Sequence, residues 1–561
     1  MNSQEEFQFM VSQLGDFGKY QFRQHVLHCL MWLLSAIHMM GFVFVFPIMN
    51  HRCFIEGIDE KCHVTNTTTL EVLENYIPKT EDGSLQSCFK FQTSDEGDNS
   101  SIISCGPEGY VYTPGYFQSS RVTEWDMICD RDWMRALLQA TFLFGSLIGA
   151  LSGGILADRF GRKPIICFSG ILQFFWGFGV VFSDNYYACA FCIFMYGFFG
   201  SGTGSCPAVT LTMELVGPSK RTMCGILISC CFGLGGVIVA AWAYFLPGNA
   251  RMLQLIYVSH SLILFGNWWL VDESFNWLWT QGKKEDAILL LQKAAKTNGF
   301  ELICPPGVTT VKRRMTLADA IAKRQGNNKG FCCSPKRSGL FALFRTGEMR
   351  KRILVSMFTF FAAGALYYGL SFNSINLFGN PYLIFIMTCV ADFPAIPIVI
   401  LLTPKTGYKP MLCLFLMLPG VTCIVLAFIN KNIWSTVIAT LAKVSATLIF
   451  KITNAYTAEL FPTVVRNTAL GLCVMSTRLG GTAIPEINLL ERFSGKLPNL
   501  VFGVIGLVAA GLVLVCLPET MNRPIPQTIE DVEGEKKKKK KGEQQGAKGE
   551  SNDLGVEEDM L

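Results

Sequence analysis

The chain has 561 residues and a formal net charge of +5, and 50% of its residues are hydrophobic whereas only 16% are charged. Soluble domains carry about 25% charged residues. The composition therefore excludes a soluble enzyme and predicts an all-α integral membrane protein.

Twelve apolar stretches are long enough to cross a bilayer, since about 18 or more apolar residues suffice for a helix to span the roughly 30 Å hydrocarbon core. We number them spans 1 to 12 in chain order. They lie near residues 24–47, 134–157, 164–183, 186–211, 222–246, 252–271, 353–372, 380–402, 409–429, 434–457, 467–489 and 498–517.

Basic residues predict the orientation of the chain, because cytoplasmic segments are enriched in Lys and Arg. The short segment between spans 2 and 3, the long segment 272–352 and the six lysines Lys536 to Lys541 all fall on one side. We assign that side to the cytoplasm, together with the N-terminal segment 1–23 and the tail 518–561.

The segment 48–132, between spans 1 and 2, is then a large extracellular loop. It contains two glycosylation sequons, at Asn66 and Asn99, and we expect at least one of them to be glycosylated. Five cysteines allow at most two internal disulfides and leave the pairing open. They are Cys53, Cys62, Cys88, Cys105 and Cys129.

Two motifs recur in the two halves of the chain. "GILADRFGRKP" after span 2 returns in weakened form as "TPKTGYKP" after span 8, and Gly161 and Gly407 are 246 residues apart. "ELVGPSKR" after span 4 returns as "ELFPTVVR" after span 10. The repeat predicts two six-helix halves, 24–271 and 353–517, an architecture typical of transporters with a substrate site between the halves.

The repeated motifs also predict a cytoplasmic gate. Acidic residues can cap helix N-termini, and arginines can pair with acids across the cytoplasmic surface. The alternative is a topology signal with no mechanical role. The candidates are Asp158, Arg159, Arg162, Glu214, Arg221, Glu459 and Arg466.

Several longer motifs carry a family resemblance. "GILADRFGRKP" resembles a signature of the major facilitator superfamily. "LGDFGKYQ", "VTEWDMICDRDWMRAL", "YYGLSFN" and "AELFPTVVRNTALG" resemble the organic ion transporters within it, the carriers of organic cations, organic anions and carnitine. The resemblance implies the major facilitator fold and transport of small organic ions by alternating access at the plasma membrane. "DESFNWL" and Phe360 depart from the family pattern.

One position in span 11 tracks the substrate class in this family. Cation carriers have an aspartate there, whereas anion and carnitine-type carriers have an arginine, and this chain has Arg478 in "TRLGG". The resemblance therefore implies organic anions or carnitine-like zwitterions. A cation carrier that uses Asp392, a non-transporting receptor, and a purely structural pair between Arg478 and Asp392 stay open.

Further candidate substrate contacts lie in the second half. Lys443 and Lys451 are eight residues apart in span 10 and can share a helix face. Aromatic residues of span 7 can form an adaptable wall, although packing roles are equally open; Tyr367 matches a wall position of the family. The aromatic candidates are Phe360, Phe361, Tyr367 and Tyr368.

No phosphate-binding loop of the form GxxxxGK[ST] is found, so we expect solute or ion gradients to drive transport, with no cofactor, metal or nucleic acid involved. The run Lys536 to Lys541 can attract anionic lipid at the membrane surface. The terminal "EEDML" is a candidate ligand for a PDZ domain.

Overall fold

The computed structural model describes residues 3–56, 59, 73–79, 85–92, 101–105, 109–217, 220–303, 340–430, 432–462, 465–521 and 532. Both sequons, Cys62, the lysine run and the terminal "EEDML" lie outside these residues.

The described chain is mostly helical. Helices occupy Ser3–Ser12, Lys19–Met40, Phe42–Val45, Arg121–Glu124, Asp132–Phe160, Arg162–Phe182, Tyr186–Gly197, Ser205–Leu215, Arg221–Phe245, Ala250–Ser259, Asn267–Leu270, Phe275–Thr280, Lys284–Asn298, Leu340–Arg345, Gly347–Phe372, Pro381–Val390, Ala395–Thr406, Tyr408–Leu426, Ile433–Leu460, Arg466–Thr482, Ile484–Leu489 and Leu497–Cys516.

Among the described residues, nine helical segments are long and apolar enough to cross a membrane, and they coincide with spans 1 to 5, 7, 9, 10 and 12. The other three predicted spans are helical but interrupted. Span 8 breaks before Ala395, and span 11 breaks between Thr482 and Ile484. Pro394 and Pro485 lie at these two breaks, where a proline cannot donate a helical hydrogen bond. Span 6 passes through a 3₁₀ segment, His260–Gly266.

The segment between spans 1 and 2 contains the strands, which an all-α prediction did not anticipate. Asn50–Cys53 pairs antiparallel with Tyr110–Thr113, and Phe89–Phe91 pairs antiparallel with Ile102–Ser104. Two disulfides, Cys53–Cys105 and Cys88–Cys129, connect these strands to one another and to the start of span 2. The structure thus selects one pairing among those that the cysteine count allowed.

The helix Lys284–Asn298, which lies in the predicted cytoplasmic linker, packs against the first half. Lys293 Nζ lies 2.6 Å from Asp272 Oδ1, and Arg23 Nη2 lies 3.3 Å from the other oxygen of that carboxylate. The Asn298 side chain accepts a 2.9 Å hydrogen bond from the Tyr20 amide at the start of span 1. The first part of the predicted linker therefore packs as a structural extension of the first half.

Candidate functional site

Spans 7 and 11 approach each other closely at the centre of the second half. A Cβ atom at Gly480 would lie 2.2 Å from the carbonyl oxygen of Phe361, and a Cβ atom at Gly364 would lie 2.3 Å from that of Thr477. Such distances are too short for any side chain, so glycine is required at both contacts. This approach places Arg478 next to the aromatic residues of span 7.

Arg478 is buried, with 7% of its surface exposed, and it reaches across to the first half. Its Nη1 donates to Ser201 Oγ at 3.3 Å and lies 4.0 Å from Met39 Sδ. These are its only side-chain partners in the described part of the chain, and neither is an acid. Ser201 belongs to a π-helical turn, Phe198–Thr203, a local geometry often found at functional sites.

Asp392 is satisfied without Arg478. Its Oδ2 accepts a 2.9 Å hydrogen bond from the Tyr367 hydroxyl, and its Oδ1 accepts a 2.6 Å bond from Thr447 Oγ1. The pair between Arg478 and Asp392 that the sequence left open is therefore absent from this structure. The guanidinium keeps donor capacity that no described acid uses.

The two lysines of span 10 differ in their surroundings. Lys443 is 2% exposed, donates to the Tyr367 carbonyl at 3.2 Å and to Ser371 Oγ, and lies 3.0 Å from the centre of the Tyr367 ring. These contacts give Lys443 the role of holding Tyr367. Lys451 is only partly buried, and its ammonium has no hydrogen-bond partner among the described residues.

The aromatic wall contains two residues that sequence reasoning missed. The Phe450 ring packs edge-on against Tyr367 at 5.4 Å and Tyr368 at 6.4 Å, and Phe232 of span 5 lies 6.5 Å from Tyr367. A signal for Phe450 was present, because it follows Lys443 by seven residues and so lies on the same helix face.

The other two aromatic candidates of span 7 are less central to this wall. Phe360 is 1% exposed and belongs to the hydrophobic core. Phe361 stacks on Phe358, with ring centres 6.1 Å apart, and its carbonyl faces Gly480. We therefore assign the wall to Tyr367, Tyr368, Phe450 and Phe232.

The predicted gate residues form contacts within each half. Arg162 Nη2 lies 3.2 Å from Asp158 Oδ1 and 3.1 Å from Glu214 Oε1. Arg221 and Arg466 instead donate to the backbone carbonyl five residues earlier, at Val216 and Phe461. The repeat is thus visible in the contacts as well as in the sequence.

Two further gate candidates make no such bridge. The Arg159 guanidinium lies 5.4 Å from the centre of the Phe160 ring. Glu459, the counterpart of Glu214, forms no ion pair with a described basic side chain. Among the described residues, Arg162 is therefore the one gate arginine that forms the predicted pairing with acids.

The acids that cap the repeated helices are Glu273 and Glu519, not Asp158 as predicted. Glu273 accepts from the amides of Arg162 and Lys163 at 3.0 and 3.2 Å, and Glu519 accepts from the amides of Tyr408 and Lys409 at 3.3 and 3.1 Å. They are separated by 246 residues, the same offset as Gly161 and Gly407. A carboxylate at a helix N-terminus satisfies free amides and opposes the helix dipole.

The halves contact each other at the predicted extracellular end, whereas two glycines at the predicted cytoplasmic end lie beside open space. Tyr382 of the second half stacks on Phe44 of the first half, with ring centres 5.6 Å apart. At the predicted cytoplasmic ends of spans 2 and 11, a Cβ atom added at Gly154 or Gly471 would meet nothing within 4 Å. These two glycines therefore have open space beside them at the predicted cytoplasmic end.

Comparisons with known proteins agree with this architecture. The sequence profile of the sugar (and other) transporter family matches residues 80–531. The organic cation transporter protein of Drosophila melanogaster is 30% identical over 536 residues, which cover 94% of this chain and 95% of that protein. Human solute carrier family 22 member 13 is 30% identical over 543 residues, which cover 94% of this chain and 93% of that protein.

A solved structure shares the fold. The inward-open xylose transporter XylE of E. coli superposes with a TM-score of 0.56 at 14% identity, covering 91% of this chain and 99% of that chain. At this level of identity the likeness extends to the arrangement of the helices alone.

Proposed function

The chain belongs to the organic ion transporters of the major facilitator superfamily, and we propose that it carries small organic anions or carnitine-like zwitterions across the plasma membrane by alternating access. It is a multi-pass membrane transporter and not an enzyme. The further predictions of lipid binding at Lys536 to Lys541, PDZ binding at the terminus and glycosylation at Asn66 and Asn99 remain part of the proposal.

One observation carries the anion preference: Arg478 is a buried cation between the halves whose described partners are all neutral. Buried charges in membrane proteins are costly and usually face a partner or a pathway. Because both oxygens of Asp392 already accept hydrogen bonds, a substrate carboxylate is the acid best suited to Arg478, whose planar fork binds carboxylates with two parallel bonds.

The charge balance around this cavity supports the same substrate class. Arg478, Lys443 and Lys451 contribute three cations, and the described acid beside the aromatic wall is Asp392, which accepts from Tyr367 and Thr447. The excess positive charge attracts anions and repels simple cations. A carnitine-like zwitterion fits as well, since its carboxylate can meet Arg478 while its quaternary ammonium lies against the aromatic wall.

The second candidate is an organic cation carrier. The aromatic wall of Tyr367, Tyr368 and Phe450 favours it, because such rings bind quaternary ammonium groups through cation–π contacts. A relative named as an organic cation transporter protein adds to its weight. The receptor that the sequence left open has no support among the relatives, which are named as transporters and solute carriers.

Uptake of three labelled compounds separates these candidates: an aromatic monocarboxylate, carnitine and a simple quaternary cation. Cells expressing the full chain should accumulate the first or the second above mock-transfected cells, and accumulate the quaternary cation least. Uptake of the quaternary cation alone would replace the proposal with the cation carrier.

Lys451 gives a graded test of the charge balance. We expect Lys451→Asn to lower uptake of the monocarboxylate by about five- to tenfold, because one unpaired cation near the cavity is worth roughly 1 kcal/mol or more when partly desolvated. The matched control is Lys405→Asn, which removes an exposed lysine of the same half and should change nothing. Equal effects of the two substitutions would contradict a role for Lys451 in the cavity.

A further inference from the structure

Arg492, from the second half, contacts the start of span 2 in the first half. It follows span 11, and its Nη2 donates to the backbone carbonyl of Cys129 at 2.7 Å. Its Nε lies 3.9 Å from Asp132 Oδ2. The Arg492 side chain is 40% exposed, so the ion pair is screened by water and the backbone hydrogen bond carries most of the contact.

Tyr382 makes a second connection between the halves at the same end. Its hydroxyl donates to the Tyr116 carbonyl at 2.8 Å, and its ring lies nearly parallel to Phe44 at an angle of 4°. Phe117 and Tyr244 pack edge-on against the same ring at 5.8 and 5.7 Å. One residue of span 8 thus holds span 1, span 5 and the segment between spans 1 and 2.

Both connections must break when the cavity opens outward. A carrier that alternates between two states has to separate its halves at whichever end opens, whereas contacts within one half can persist through the cycle. Each connection consists of one modest hydrogen bond plus ring or charge contacts. It can therefore hold the halves together at this end and still break during the transport cycle.

We propose that Arg492 and Tyr382 form the outer gate of this carrier, as positioning residues that set the balance between its inward- and outward-facing states. The segment between spans 1 and 2 takes part through Tyr116 and Cys129. This inference rests on the alternating access of the proposed function, but not on the charge of the substrate.

Hydrogen–deuterium exchange of the full chain in lipid nanodiscs, without substrate, tests the outer gate. Tyr382→Phe and Arg492→Ala should each shift the ratio of the two states about two- to tenfold toward the outward-facing one, as expected from losing one hydrogen bond. Amides at Phe42–Val45 and Pro381–Val390 should exchange faster. Amides near Gly154 and Gly471 should exchange more slowly.

Matched controls exist on the same surface. Tyr186 donates to the Met134 carbonyl at 3.0 Å, and Arg251 contacts Glu124 and Asp184 at 2.9 and 2.8 Å, all within the first half. Tyr186→Phe and Arg251→Ala should therefore leave the balance between the two ends unchanged. Faster exchange at both ends in the gate variants would indicate plain destabilisation and overturn the proposal, as would no change.

The exchange experiment tests the outer gate independently of which substrate the protein carries. If uptake of organic anions fails but exchange changes in opposite directions at the two ends, the substrate proposal falls and the outer gate stands. If uptake follows the anion prediction but the gate variants exchange like the wild type, only the outer gate is refuted.

Discussion

Arg478→Ala is expected to reduce uptake of organic anions by roughly 30-fold or more, the largest functional effect of any substitution in the cavity. Removing one partner of a buried, hydrogen-bonded charge pair costs about 2–5 kcal/mol, and each 1.4 kcal/mol is tenfold in affinity. The measurement is initial uptake of a labelled monocarboxylate, normalised to the amount of carrier at the cell surface.

The protein should still fold after this substitution. Among the described residues, the guanidinium has Ser201 and Met39 as its hydrogen-bond partners, so its removal leaves no described acid unpaired. We expect Arg478→Lys to keep part of the uptake, because it retains the charge but loses the planar fork. Anion uptake at the wild-type level by Arg478→Ala would contradict the substrate proposal.

A charge swap distinguishes substrate binding from a structural pair. If Arg478 served to neutralise Asp392, the double variant Arg478→Asp with Asp392→Arg would recover uptake. Since Tyr367 and Thr447 occupy both oxygens of Asp392, we expect no recovery. Recovery would show that the two residues meet in another state of the cycle.

The sequence alone predicted the charged candidates of the second half, because a charged residue within an apolar stretch can be recognised without knowing the fold. Which of them remain available to a ligand depends on neighbours from other spans. Lys443 is occupied by its contacts with Tyr367, and Asp392 already accepts a hydrogen bond from Thr447. Composition also predicted the helical stretches, but not that span 11 breaks beside Pro485. Phe232 was missed because nothing in its local sequence distinguishes a wall residue from a lipid-facing one.

The two capping acids also could not be predicted from the sequence, because they lie far along the chain from the helices that they cap. Glu273 caps a helix that begins 111 residues earlier in the chain, and Glu519 does the same at a distance of 111 residues. Asp158, only four residues from Arg162, was the natural local candidate. Its side chain is 65% exposed, and it contacts the Arg162 guanidinium rather than an amide.

Removing the caps should therefore have the largest effect on stability. Glu519 accepts from four backbone amides, including those of Thr520 and Met521 at 2.9 and 3.0 Å. Hydrogen bonds to charged groups contribute roughly 1.5–3 kcal/mol each and are not additive, so we expect Glu519→Ala to cost about 2–4 kcal/mol. Glu273→Ala, which loses three such bonds, should cost a similar amount.

The thermal midpoint of the detergent-solubilised chain, followed by size-exclusion chromatography after heating, measures this loss. Asp158→Ala is the matched control, because it removes an acid of the same surface that caps no amide, and its midpoint should stay near that of the wild type. The two glutamates cap helices of different halves, so the double variant should lose about the sum of the single losses. A midpoint for Glu519→Ala equal to that of Asp158→Ala would mean that water replaces the carboxylate at no cost, and that the shared offset of 246 residues reflects ancestry rather than present stability.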